Sequence, residues 1–116
     1  GNRFQHVVAV VGDMLELGPT ANELHGEMGK KAADCGITDL FSIGHHGKHW
    51  VDGYLSTGHA HKGANAVRLF SDHETMTREL IEHIEKDPRK TLVLIKGSRG
   101  AKMFLIAENL KQQCIN

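Results

Sequence analysis

The chain has 116 residues, with 14 basic and 14 acidic side chains and so no formal net charge. That is one domain with room for a sizeable core, and the charge balance excludes a nucleic-acid or membrane-surface role driven by overall charge. Aromatic residues, at 5%, are too few for a base-stacking surface, and neither a signal peptide nor an apolar span long enough to cross a membrane is present.

Residues 6–11, HVVAVV, are a short β-branched run ending at Gly12, which suits a strand buried on both faces. A loop, GDMLELG at 12–18, leads into a helix. Thr20 and Glu23 have capping-box spacing there, and Leu24, Met28 and Ala32 recur every four residues as its apolar face. Gly36 ends it. Residues 39–43, DLFSI, read as a second strand, and the His-rich, Gly-broken segment 45–58 as a weaker helix. Residues 57–65 read as an open loop and 66–70, AVRLF, as a third strand. Ser71 and Glu74 form a second capping box ahead of a helix over about 72–86 that buries Met76, Leu80, Ile81 and Ile84. Residues 91–95 are the fourth strand. A last helix follows, with Met103, Ala107, Leu110 and Cys114 on one face.

This βαβαβαβα alternation predicts an α/β, Rossmann-like fold. Its sheet is open, mainly parallel and of about four strands, with helices on both faces and right-handed crossovers. The cysteines, Cys35 and Cys114, are far apart and in no metal-ligand spacing, so they read as reduced thiols of a cytosolic protein.

The last helix breaks a rule that two earlier ones obey. Those place acids in the first turn: Glu23 in one, Asp72 and Glu74 in the other. The last places Arg99 and Lys102 there, just after Lys96, although cations at a helix N-terminus cost roughly 0.3–1 kcal/mol each. Unpaired N–H groups at a helix start favour an anion, and Lys and Arg strengthen the site. Arg can grip a carboxylate or phosphate with two parallel hydrogen bonds. Lys96-Gly97-Ser98-Arg99 also lies at a strand's C-terminal end, where open parallel sheets bind ligands. The other reading is structural: Gly97 makes a tight turn, Ser98 caps the helix, and the cations are solvated or paired with Asp13 and Glu16.

Asp13 and Glu16 are themselves open to several roles: a Mg²⁺ ligand, a ribose acceptor, or a partner for the basic loop. Two carboxylates alone are a thin site for a hard metal. His25, near the start of the first helix, is either a support for the 12–18 loop or a half-buried helix residue. His45 with His49, and His59 with His61, have spacings that hold Zn²⁺ or Ni²⁺ weakly, but as a solvated surface they need no metal. No Walker A pattern and no G-x-G-x-x-G occurs, so the chain carries no nucleotide phosphate loop of its own.

In combination, G-D-M-L-E-L-G after the first strand, a helix with His25 and Gly29, and L-V-L-I-K-G-S-R-G-A-K-M near the end are more specific than any one of them. Together they resemble the C-terminal domain of a Mur ligase, on the branch that joins D-alanyl-D-alanine to UDP-N-acetylmuramoyl-tripeptide in peptidoglycan synthesis. The resemblance spans nearly the whole chain.

It implies a cytoplasmic, ATP-dependent ligase of cell-wall synthesis, monomeric, with ATP and Mg²⁺ held mainly by a central domain that this one closes upon. A substrate carboxylate becomes an acyl phosphate, and the dipeptide amine attacks it. Lys96, Gly97, Ser98 and Arg99 would meet the anionic substrate, Asp13 and Glu16 would face the nucleotide, and His25 would support their loop. The family's domain begins with a further strand, an Asn-rich loop and a helix. Residues 1–116 are therefore expected to be a single domain that lacks these, as well as the N-terminal and central domains, and that turns over no ATP alone. The rival expectations are a receiver-like signalling domain, with Asp72 standing for its phosphoacceptor, and a non-catalytic anion-binding module.

Overall fold

The structure, a computed structural model, describes residues 6–14, 18–57, 67–87 and 91–97. The expected last helix, with Ser98, Arg99 and Lys102, lies outside the described residues, as do Glu16 and the His59/His61 pair.

Strand β1 is His6–Val11, β2 Asp39–Ile43, β3 Val67–Phe70 and β4 Thr91–Lys96. Helix α1 is Ala21–Asp34, preceded by a 3₁₀ turn at Gly18–Thr20; α2 is Gly47–Leu55 and α3 is His73–Lys86. All strand pairs are parallel, in the order β3-β2-β1-β4. Receiver domains share the flavodoxin-like order 2-1-3-4-5, in which the third strand flanks the first. Here β3 pairs with β2 and β4 takes the place beside β1, so the topology is not a receiver's.

The central strands are apolar because both of their faces are covered. Val8, Val10, Phe41 and Ile43 point to one side and pack with Phe70, Met76 and Leu80 under α3. Ala9, Val11 and Leu40 point to the other and pack with Ala33, Ile37, Trp50 and Tyr54 under α1 and α2. This is the expected three-layer α/β arrangement. Among the described residues, no helix is long and apolar enough to cross a membrane.

Helix α1 departs from the expected face. Leu24, Met28 and Ala32 are only partly buried, and the fully covered stripe lies one residue on, at His25, Gly29 and Ala33. The cause is α2, which lies against α1 backbone to backbone. A Cβ on Gly29 would stand 2.2 Å from the Trp50 carbonyl oxygen, and one on Gly53 would stand 1.9 Å from the Gly26 carbonyl oxygen. Hydrophobic periodicity does not register a stripe whose value lies in absent side chains. The segment read as a weaker helix is thus a core element, burying Trp50 and Tyr54, with the Tyr54 hydroxyl donating to Ile37 O at 2.5 Å.

Both capping boxes are corrected. Thr20 occupies the N-cap of α1 but makes no side-chain cap bond. In α3 the cap is Asp72, not Ser71. Its carboxylate accepts from Thr75 N at 2.8 Å, and that backbone amide is the main reason its pKa lies below the ordinary carboxylate value.

Candidate functional site

Parallel pairing brings the carboxyl ends of all four strands to one edge, and the strand order reverses between β1 and β4. Ligands of open α/β sheets bind at such a switch point. The loop after β1 and the loop after β4 flank it, so the two motifs separated by some eighty residues in sequence become neighbours. They are joined directly: Gly12 N donates to Lys96 O at 2.8 Å. Lys96 is exposed at the end of β4, with Gly97 following it.

Asp13 is buried, and both its oxygens are engaged. Oδ2 accepts from His45 N at 3.0 Å and Oδ1 from His46 N at 2.8 Å. His46 is the N-cap residue of α2, a helix with no acid in its own first turn. Asp13 therefore supplies from another loop the negative charge that a helix N-terminus attracts. The turn it grips requires a glycine. Gly44 has φ +105°, and a Cβ there would stand 2.7 Å from the Asp13 carboxyl group. This geometry makes Asp13 a structural tether between the loop after β1 and the turn before α2, a role that is not among those the sequence leaves open.

His25 is fully buried beneath the same loop. Its Nε2 accepts from Met14 N at 2.9 Å, which places the proton on Nδ1, 2.6 Å from the Ala21 oxygen that accepts it. Two further contacts were not legible in the sequence. The Trp50 indole donates to Gly12 O at 3.0 Å, and the His46 ring stacks on His25 with centroids 4.4 Å apart. Gly12, Asp13 and Met14 are thus each fastened by a different partner. Nothing in residue spacing announces Trp50 as one of them, because its partner is a backbone carbonyl.

A cleft of about 670 Å³ opens at the same sheet edge, beside the Asp13 tether, lined by Gly44, His45, Lys48, Leu69, Phe70 and Ser71. The site as described is therefore a first loop pinned at Gly12, Asp13 and Met14, a basic residue across the switch point, and an open cleft alongside with Lys48 in its lining. This suits an anionic ligand. It holds no nucleophile or general base that the geometry singles out.

The family model described as "Mur ligase, glutamate ligase domain" matches residues 1–99. The UDP-N-acetylmuramoyl-tripeptide–D-alanyl-D-alanine ligase of Rickettsia prowazekii (strain Madrid E) is 33% identical over 100 residues, 86% of this chain and 20% of that protein. The protein of the same name from Buchnera aphidicola subsp. Acyrthosiphon pisum (strain APS) is 28% identical over 111 residues, 92% of this chain and 22% of that protein. A crystal structure of MurF from Acinetobacter baumannii matches with a TM-score of 0.75 at 23% identity, over 92% of this chain and 22% of that one, a likeness of fold. The chain spans about a fifth of the length of the curated relatives it matches.

Proposed function

Since this chain belongs to the Mur ligase family, we propose that it is the C-terminal, closing domain of an ATP-dependent ligase that joins D-alanyl-D-alanine to UDP-N-acetylmuramoyl-tripeptide. The observation that carries the reading is the juxtaposition at the switch point: the loop after β1, pinned at Gly12, Asp13 and Met14, beside Lys96 and Gly97 at the end of β4. The names of the relatives supply the substrates.

In this reading the tripeptide carboxylate attacks the γ-phosphate of ATP, giving an acyl phosphate and ADP. The dipeptide amine then attacks the acyl carbon, loses a proton, and expels phosphate as the amide forms. The domain's share of this is binding and exclusion. Lys96, Gly97, Ser98 and Arg99 hold the dipeptide carboxylate or the acyl phosphate, and orientation of two reactants lowers the barrier by several kcal/mol. Closure onto the central domain keeps water from the acyl phosphate. Each Asp13 oxygen accepts one hydrogen bond from a backbone amide, and this reading assigns the Mg²⁺ mainly to the central domain. The cytoplasm, where the nucleotide-linked substrate is found, is the compartment this reading assigns, and the protein acts as a monomer.

The test is phosphate release by the full-length protein. It should require ATP, the nucleotide-linked tripeptide and D-alanyl-D-alanine together. Release that ignores the dipeptide would overturn the proposal. Arg99→Ala should raise KM for the dipeptide or lower kcat with little change in Tm.

A further inference from the structure

The opposite edge of the sheet holds a second cluster that the ligase reading does not use. His6 opens β1, Asp39 opens β2, Thr91 opens β4, and His83 and Asp87 lie at the end of α3. His6 and Asp39 are buried, whereas the His83 side chain is 21% exposed, which leaves a way in from solvent. The Nε2 atoms of both histidines converge on one oxygen, Asp39 Oδ2. His6 is 2.9 Å away, and His83 makes a hydrogen bond to the same atom. Behind His6, Nδ1 faces Thr91 Oγ1 at 2.9 Å and Asp87 Oδ2 at 3.4 Å.

Two proton arrangements satisfy these contacts. Thr91 Oγ1 can donate to His6 Nδ1 with Nε2–H donating to Asp39, or the proton can sit on Nδ1 toward Asp87 with the Nε2 lone pair facing Asp39 Oδ2. The second is the arrangement that a cation between His6 and Asp39 favours, and the rest of the cluster matches a metal ion. Two neutral imidazoles and two carboxylates carry a charge of −2. The carboxylate behind a ligating histidine is the usual outer partner that fixes its tautomer.

We propose that His6, Asp39 and His83 bind a divalent metal ion of the zinc class, with Asp87 and Thr91 orienting His6 and a solvent molecule completing the coordination on the His83 side. Their ligand atoms already lie within 4.8 Å of one another. Four-coordinate zinc, with legs of about 2.0–2.2 Å, sets its ligands roughly 3.3 Å apart. The 2.9 Å His6–Asp39 contact therefore widens by a few tenths of an ångström, and the shorter His83–Asp39 contact opens by more, through the torsions of the partly exposed His83 side chain. Imidazole and carboxylate together suit zinc and exclude calcium and magnesium, which take oxygen alone. The ion would tie the starts of β1 and β2 to the end of α3, far from the carboxyl edge where substrate is proposed to bind.

The experiment uses untagged, chelator-treated protein titrated with Co²⁺ and then Zn²⁺. One equivalent of Co²⁺ should give the intense visible bands of four-coordinate cobalt, Zn²⁺ should bleach them, and Tm should rise with Zn²⁺ concentration. His83→Gln, at a partly exposed helical position, should weaken binding by more than the ~10- to 100-fold that loss of an outer partner costs, and Asp87→Asn by about that amount. His45→Ala/His49→Ala should change neither. If His83→Gln does not fold, the imidazole ¹⁵N resonances of His6 and His83 in the unaltered protein decide, because both must move on Zn²⁺ addition. Absence of one-equivalent binding, the pale spectrum of six-coordinate cobalt, or binding lost only with His45 and His49 would each overturn the proposal and leave a proton-held cluster.

Discussion

The two faces of the sheet are built on different principles. Under α3 the core is filled by large side chains, Phe41, Phe70, Met76 and Leu80, and the helix carries its own cap in Asp72. On the other face α1 and α2 meet through glycines, and neither has a side-chain cap bond from its own N-cap residue. Their ends are secured from elsewhere: α2 by Asp13, and the loop before α1 by His25 and Trp50. One face resists the removal of atoms, and the other resists their addition. The face built by close approach is also the one that fastens the loop at the switch point: apart from the Gly12–Lys96 backbone bond to β4, the tethers described at Gly12, Asp13 and Met14 come from α1, α2 or the turn before α2.

Adding and removing a few carbons should separate the two designs. The largest effect is expected from Gly53→Ala, whose methyl would stand 1.9 Å from the Gly26 carbonyl oxygen. Backbone meets backbone there, so the helices must part, and a loss of at least about 3 kcal/mol is expected by urea denaturation. If stability is unchanged, the close crossing is not as described. Next is Leu80→Ala on the opposite face, where a fully buried side chain leaves a cavity. It should cost about 2–5 kcal/mol, and it should spare the switch-point loop, so amide exchange at Met14 should track global stability in this variant while Gly53→Ala exposes it preferentially.

Gly26→Ala sharpens the comparison from within α1. Its Cβ would meet only His49 O, at an ordinary 3.8 Å. The helix-propensity gain of roughly 0.5–1 kcal/mol should then appear as a higher Tm, and a fall in Tm would show that the whole stripe, not two positions, is intolerant. The smallest effect belongs to the cap. The folded-state pKa of Asp72 lies below its ordinary value of 3.8, so its contribution is fully present above that value and fades as pH falls through the lowered one. Asp72→Ala should lower Tm slightly at neutral pH, and the gap from the unaltered protein should close in acid; a gap independent of pH would remove the carboxylate from the account.

Much of this is legible in the sequence. The buried strands announce themselves in HVVAVV and DLFSI, and the parallel order follows from their alternation with helices. The positions of the two motif loops at strand ends could likewise be read directly. What escaped was pairwise. Trp50 and Tyr54 lay in a segment whose glycines looked like weakness, because a propensity scale counts what a residue does to its own helix and not what it permits a neighbour to do. The His6–Asp39–His83 cluster had one faint signal, a polar residue opening each of two strands that are otherwise almost wholly buried.

The sequence by itself determined the class of fold and the strands and helices among the described residues, because each follows from periodicity and from chain direction. Only the tertiary structure decided which residue caps which helix, what Asp13 holds, and that two histidines some eighty residues apart share one carboxylate oxygen. Those are contacts between elements, and their partners are fixed by how the helices approach, a distance that here is set by side chains the sequence leaves out.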